Sequence, residues 1–401
     1  MLESLYENDD ENAFSLHKSI VSSWSNALES KINVVPSNKG EKKPCLGFIS
    51  SDLRVHSVAY FLKPLLENID KNKFDVWCYF VSPKYDKMTF ELKSLTSGWR
   101  NINNTMPAYV LRSFMQEDGV DVLIELNGHT TNNAMRILSN RVAPIQISWL
   151  GYPFTTATPN IDYRLVSPIT DLDGVEDELY SEKRIWLKNV LAVYQPPENA
   201  PDVVDPPCIA DGSITFGVFN NFAKVTEEMI SCWAEILKAL PGSSLLLKSG
   251  AFQYPDFVTE TKQRFVSYGV SEEQISCYSR IKSKEGHLGF YGKVDISLDT
   301  FPYNGTTTSC ESLWMGVPVV TKYAKSHRSR VTYAQLKAIG LEDLASDSDA
   351  EYVSSAISLA RDVDRLISLR KNLRQIMKKS PLMDYKDFSD NFIETVESLI
   401  N

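Results

Sequence analysis

The hydrophobic positions of this chain follow two rhythms, and from residue 43 onward the two alternate. Short apolar runs at 45–49, 74–81, 145–150 and 163–166 predict strands. Between them, 58–69, 108–117 and 134–138 carry apolar residues three and four apart and predict helices. Residues 120–126 are almost continuously apolar, as a parallel strand covered on both faces should be. Strands alternating with helices in this way predict a doubly wound α/β domain.

The rhythm breaks at QPPENAPDVVDPP. Its 196–207 stretch is rich in proline and acid, has no period, and predicts a linker. A second alternating unit follows, with strands at 214–219, 244–248, 275–278, 296–298 and 319–321. Its helices fall at 226–240, from Thr307 onward, and at 331–339, 351–361 and 364–377; a last amphipathic helix runs over 388–400. Ahead of all this, 13–28 places Phe14, Ile20, Val21, Trp24 and Leu28 at near-helical spacing, which predicts one helix ended before Pro36.

Charge and composition narrow the function. The chain of 401 residues carries 42 Lys and Arg against 51 Asp and Glu, a net charge of −9. A nucleic-acid binder needs clustered basic surface, and no such run occurs. No apolar stretch approaches the roughly 18 to 20 residues of a membrane span. The acidic start MLESLYENDDEN is unlike a signal peptide, so a cytoplasmic location is expected. Cys45, Cys78, Cys208, Cys232, Cys277 and Cys310 stand singly, which predicts buried reduced thiols rather than disulfides or a zinc site.

Candidate chemistry concentrates at strand ends. In DISLDTFPYNGTTTSCESLWMGVPVVT a strand is followed by a loop and a helix, the helix closing at Gly316 before Pro318. Gly305 with Thr306, Thr307 and Thr308 at that helix start forms a cradle for phosphate, since the first amides of a helix lack partners and carry partial positive charge. Threonines that only cap the helix would give the same pattern. Glu311 lies one turn inside, where a carboxylate can accept both hydroxyls of a ribose. Lys224, in the turn after strand 214–219, places an ammonium where it can meet a diphosphate. Two further loops, SSDLRVHS and NGHTTNN, bring His56, Asn127 and His129 to strand ends, where open parallel sheets bind ligands. Asp52 reads equally well as a turn or cap residue.

The run DTFPYNGTTTSCESLWMGVPVVT resembles the nucleotide-sugar site of the O-GlcNAc transferase and SPINDLY family of protein glycosyltransferases. Three more segments match that family in the same order: GFISSDLRVHSVAYFL, ELNGHTTNNAMRILSNRVAPIQISWLGYP and FGVFNNFAKVTEEMISCWAEILKALP. The likeness covers about residues 43 to 400, with wording nearer to SPINDLY-like and bacterial members than to the animal enzyme. It implies a GT-B-type α/β fold, two Rossmann-like doubly wound domains facing each other across a cleft. The expected parts are a helical arm and linker at 1–42, an acceptor-side domain at 43–205, a nucleotide-sugar domain at 206–383, and a terminal helix at 384–401 returning to the first domain. The family usually carries helical-pair repeats ahead of this region, and 42 residues cannot hold an array of them.

The resemblance also implies roles. Lys224 of the NNxxK motif is expected on the leaving diphosphate with Asn221 beside the nucleotide, Lys284 on the ribose, and His287 on the base or phosphates. No metal or other cofactor is expected, because Lys224 and the helix amides can stabilise the leaving group. Asp347-Ser348-Asp349 fits a metal-binding DxD pattern but precedes a helix, where it caps. The reaction expected is inverting transfer of a sugar from a nucleotide donor to Ser or Thr of a protein, UDP-GlcNAc being favoured over GDP-fucose. His56, His129 or the donor's own phosphate can serve as base. A catalytically silent donor-binding module, and transfer to Asn or a small molecule, are the competing readings.

Overall fold

The computed structural model describes residues 1–24, 42–174 and 177–400. They divide into two compact units. The first comprises Met1–Leu5, Asp9–Gln195 and Asp384–Asn401; the second comprises Tyr6–Asn8 and Pro196–Met383.

The first unit is built on seven strands: β1 (Cys45–Ser50), β2 (Asp75–Phe80), β3 (Gly98–Asn101), β4 (Val122–Glu125), β5 (Ile145–Ser148), β6 (Tyr163–Val166) and β7 (Lys183–Trp186). They form one parallel sheet in the order β3-β2-β1-β4-β5-β6-β7. β1 and β4 are buried along their whole length, which matches their apolar runs. The order reverses between β1 and β4. In a parallel sheet such a reversal splays the following loops apart and opens a ligand crevice at the strand carboxyl ends. The loops with His56 and with Asn127 and His129 leave these two strands.

The arm helix spans Asp10–Ser22 and starts earlier than its apolar period suggests, because Asp9 caps it by accepting from the Asn12 amide at 2.9 Å. The predicted continuation over 25–28 lies outside the described residues. The terminal helix, Tyr385–Glu397, belongs to this unit. Its Phe388 and Phe392 pack on the buried Trp149 with ring centroids 6.2 and 4.9 Å away. Each such aromatic pair contributes about 0.5 to 1.5 kcal/mol beyond the area it buries.

The second unit has six strands: β8 (Thr215–Val218), β9 (Ser244–Lys248), β10 (Ile275–Tyr278), β11 (Ile296–Leu298), β12 (Val319–Lys322) and β13 (Ala345–Ser346). They too are parallel, in the order β10-β9-β8-β11-β12-β13. Here the reversal lies between β8 and β11. The turn with Lys224 leaves β8, and the loop to the threonine-led helix leaves β11.

Two boundaries differ from the expected ones. The proline-rich 196–207 stretch is no free tether: it packs within the second unit, where Arg374 Nη2 donates to the Pro201 carbonyl at 2.8 Å. The division therefore falls at Gln195/Pro196 rather than near residue 205. Within the expected arm, Tyr6–Asn8 joins the second unit: Tyr6 stacks on Tyr303 at 5.8 Å, and the buried Arg328 donates to the Glu7 carbonyl at 2.9 Å.

Candidate active site

In the second unit the site is organised by Asp299, buried at the end of β11. Its Oδ1 accepts from the amides of Thr300 and Gly305 at 2.9 and 2.8 Å and from Asn220 Nδ2 at 2.9 Å; its Oδ2 accepts from Thr321 Oγ1 at 2.9 Å. These bonds fold the loop back so that the chain enters the helix Thr307–Trp314 at a fixed angle. A Cβ on Gly305 would lie 2.3 Å from Ser309 Oγ and 2.7 Å from Thr308 Oγ1, so any larger residue must displace these hydroxyls or the loop. The Gly305 amide, taken by Asp299, is not a free donor. Its part in the cradle is to leave room, which corrects the simple reading of the sequence.

The helix start is otherwise open. Thr306 occupies the N-cap position without a side-chain capping bond. Thr307 Oγ1 is buried with no hydrogen-bond partner among the described residues. The first-turn amides, at Thr307 and Thr308, have no intrahelical acceptor and share the partial positive charge of the helix terminus, about half an elementary charge. A buried hydroxyl left unmatched costs of order 1 to 3 kcal/mol, which an anion at this terminus would offset.

Lys224 stands beside that terminus. It closes the short 3-10 turn Phe222–Lys224 after β8, and its Nζ donates to the Asn304 carbonyl at 2.8 Å while lying 3.6 Å from the Tyr303 ring centroid. Burial pulls its pKa down to about 8, against the opposing attraction of Asp299. The side chain therefore remains mostly cationic at neutral pH, with few solvent contacts to lose on meeting an anion. Asn221 is exposed, and its Oδ1 accepts from the Ala223 amide at 3.3 Å, capping the turn. Its buried neighbour Asn220 reaches Asp299 and Thr300.

The other expected nucleotide residues gather one helical turn inward. Glu311 is buried; one carboxylate oxygen pairs with Lys284 Nζ, and the other accepts from His287 Nε2 at 2.7 Å. Burial alone would raise the carboxyl pKa, but His287 and Lys284 outweigh it and hold Glu311 below the usual range. Lys284, His287 and Glu311 thus form one ion-paired group, and Glu311 is not the vacant acceptor that its spacing suggested. Each of its oxygens keeps a second lone pair for a hydroxyl.

In the first unit Asn127 joins the two loops at the sheet reversal. Its Oδ1 accepts from the Ser51 amide at 2.8 Å, and its Nδ2 donates to Asp52 Oδ2 at 2.7 Å. The buried Glu125 braces the same loop by accepting from the amides of Asn127 and Gly128 at 3.0 and 2.7 Å. His56 is the N-cap of the helix Ser57–Asn68: Nδ1 accepts from the Val58 amide at 3.4 Å and lies 3.7 Å from Asp52 Oδ2. Burial lowers the His56 pKa, with Asp52 opposing and Arg54 assisting.

His129 Nε2 donates to the Thr156 carbonyl at 2.7 Å, which leaves Nδ1 as the basic atom of its neutral ring. Its ring packs on Tyr152, His17 and Trp24 with centroids 5.4, 5.3 and 5.9 Å away. His17, from the arm helix, is itself fully buried: Nδ1 donates to the Ala13 carbonyl and Nε2 accepts from Tyr152 OH, both at 2.5 Å. Burial pulls both histidines down to about 4, so both are neutral at pH 7.

The model of glycosyl transferase family 41 matches residues 26–195 and 207–392. The chain belongs to glycosyltransferase family 41. A curated relative, the probable UDP-N-acetylglucosamine–peptide N-acetylglucosaminyltransferase SPINDLY of Solanum lycopersicum, is 39% identical over 364 residues, covering 89% of this chain and 38% of its own. The chain therefore spans about two fifths of the length of the curated relatives it matches. A solved lysine-to-methionine mutant of the Thermobaculum terrenum O-GlcNAc transferase superposes with a TM-score of 0.91 at 30% identity, over 98% of this chain and 75% of that one. Anabaena HepE, solved with UDP and glucose, aligns with a TM-score of 0.54 at 13% identity, over 88% of this chain and 100% of its own, and shares the fold alone.

Within this family 41 chain, three site neighbours, Asn220, Asp299 and Lys248, went unread in the sequence, and a fourth, Asp52, was read only as a turn or cap residue. Asn220 and Asp299 carried a signal, since both are polar residues directly at strand ends. Asp52 carried one too, but a turn aspartate looks the same whether it caps or faces a histidine. Lys248, which ends β9 and bonds to His287 Nδ1 at 2.7 Å, looked like the polar stop of an apolar strand. The DxD-like triplet is a cap: Ser348 accepts from the Glu351 amide, and Asp349 pairs with Lys322.

Proposed function

We propose that the chain is the catalytic region of an inverting, metal-independent glycosyltransferase that moves a sugar, GlcNAc from UDP-GlcNAc, onto Ser or Thr of a protein. The observation that carries this reading is the pairing of Lys224 with the uncapped Thr307–Trp314 helix. An ammonium and first-turn amides converge on one loop, with a buried threonine hydroxyl lacking a partner. A leaving diphosphate gains negative charge as the glycosidic bond breaks, and preorganised donors stabilise that charge most where water is excluded.

Glu311, held as a carboxylate by Lys284 and His287, accepts the ribose hydroxyls through its remaining lone pairs. Asn221 stands at the nucleotide edge of the same turn. In the first unit, His56 and His129 present neutral rings suited to an acceptor hydroxyl. His56 is the better base when Nδ1 carries its hydrogen toward Asp52, 3.7 Å away, in place of accepting from the Val58 amide, which frees Nε2 for the proton; His129 positions the hydroxyl. Attack opposite the diphosphate inverts the anomeric centre without a covalent intermediate.

The donor assignment draws on the tomato relative, a probable UDP-N-acetylglucosamine–peptide N-acetylglucosaminyltransferase, and on the Thermobaculum O-GlcNAc transferase. The test is transfer from UDP-GlcNAc and, in parallel, GDP-fucose to a Ser/Thr peptide library, read by mass spectrometry. Modification of Ser or Thr from UDP-GlcNAc, lost in Lys224→Met, is expected. Transfer from GDP-fucose alone would reassign the donor, and parental turnover by Lys224→Met would remove the mechanism.

A further inference from the structure

One buried cation in the second unit has no part in the scheme above. Lys248 is only 4% exposed, and its Nζ sits 3.9 Å from the Phe219 ring centroid, with the Phe290 and Tyr291 rings at 5.2 and 5.6 Å. Burying an ammonium costs several kcal/mol, and an apolar side chain of similar length would serve packing at least as well. Among the described residues its polar contacts are both to one residue: His287 Nδ1 at 2.7 Å and the His287 carbonyl at 3.4 Å.

Those contacts dictate a proton arrangement. While Lys248 is an ammonium it can only donate, so Nδ1 of His287 is then the accepting nitrogen, and the ring carries its hydrogen on Nε2. That hydrogen points to Glu311 at 2.7 Å. The result is a directed chain, Lys248 to His287 to Glu311, with Lys284 donating to the other carboxylate oxygen. Were the tautomer reversed, Nε2 would turn a lone pair toward a carboxylate, and the two would repel.

We propose that Lys248 is a positioning residue for the nucleotide half of the donor: it locks His287 in the Nε2–H tautomer, which holds the Glu311 carboxylate in place to receive a vicinal diol. This rests on the nucleotide-site reading of Glu311 given above. Lys248 acts through His287, to which its Nζ is bonded, with the Phe219, Phe290 and Tyr291 rings around it. The titratable groups around it are His287, Glu311, Lys284 and the Tyr291 hydroxyl, which donates to the Thr308 carbonyl at 3.0 Å. Burial pulls Lys248 down to about 7, with Glu311 opposing and Lys284 assisting. The charge-assisted bond to His287 therefore weakens as pH rises through neutrality.

The test combines histidine-selective nitrogen NMR with titration of UDP and GDP in the intact chain. The parent is expected to show His287 protonated on Nε2 and to bind one nucleotide. Lys248→Met is expected to lose the single tautomer and bind about tenfold more weakly, as removal of a hydrogen bond to a charged group does. Lys248→Gln, which keeps an N–H donor for Nδ1, is expected to retain the tautomer and most of the affinity. Parental affinity falls between about pH 6 and about pH 7.5, and this slope disappears in Lys248→Met. An Nδ1–H tautomer in the parent, or parental affinity and tautomer in Lys248→Met, overturns the proposal. If Lys248→Met does not fold, the parent spectrum and Lys248→Gln decide. If neither UDP nor GDP binds the parent, the nucleotide-site reading fails, while the tautomer spectra still decide the role of Lys248 toward His287 and Glu311.

Discussion

The two units share a topology and differ in electrostatics. Each is a parallel sheet whose strand order reverses once, between β1 and β4 in the first and between β8 and β11 in the second, and the loops leaving those strands carry His56, Asn127 and His129 in the first and Lys224 and the threonine-led helix start in the second. At the second reversal stands Lys224 beside a helix terminus with no side-chain cap, and Lys248 and Lys284, from β9 and from the helix after β10, gather around His287 and Glu311. At the first stand two neutral histidines and an asparagine whose polar atoms are engaged by neighbours. On the proposed function, the same fold would serve an anion at one reversal and an uncharged hydroxyl at the other. Topology fixes where a ligand sits, and the side chains at the strand ends decide which ligand it is.

The sharpest way to break the comparison is to remove the cation. Lys224→Met is expected to lower the single-turnover transfer rate by about 10²- to 10³-fold, the loss typical of one transition-state donor. Melting temperature should stay equal or rise, because a buried lysine with a depressed pKa is replaced by an apolar chain of similar length. Gly305→Ala comes next. Its Cβ would meet Ser309 Oγ at 2.3 Å, so that hydroxyl or the helix start must shift. Nucleotide affinity is expected to fall at least tenfold, with about 1 to 3 kcal/mol lost in urea unfolding.

A pH experiment separates the units in another way. His17 titrates near 4 in the fold and near 6.5 unfolded, so the unfolded chain takes up the proton first. Stability is therefore complete above about pH 6.5 and declines as pH falls toward 4. The loss attributable to His17 is of order 3 kcal/mol, and His129 adds to it. His17→Phe should flatten this acid limb in denaturant titrations, whereas Lys224→Met should leave it unchanged. The smallest expected effect is that of chelation: EDTA leaves the transfer rate unaltered if Lys224 and helix amides carry the leaving-group charge. Loss of activity restored by manganese would contradict that.

The pattern of the chain revealed much of this frame, and the gaps have physical reasons. Central strands such as β4 are buried on both faces and read as apolar runs, so their positions came close. The edge strands β3 and β7 are only partly buried, carry GWRN and KRIW, and gave no such signal. Lys224 and the threonines were legible because polar residues stood where a strand turns into a helix. Lys248 was not, since burial of a lysine depends on three aromatic rings distant in sequence. Glu311 was singled out by spacing, but its pairing with Lys284 and His287 is a tertiary fact. For the same reason the arm helix read as amphipathic without revealing that its His17 lies against His129.

The central claim is that Lys224 and the first amides of the threonine-led helix hold the diphosphate. A crystal of the chain soaked with UDP, and with GDP in parallel, tests it most directly. The account predicts phosphate oxygens within hydrogen-bonding distance of Lys224 Nζ and the Thr307 and Thr308 amides, with the ribose hydroxyls on Glu311. A nucleotide bound with its phosphates elsewhere, Lys224 still donating to the Asn304 carbonyl, would contradict it.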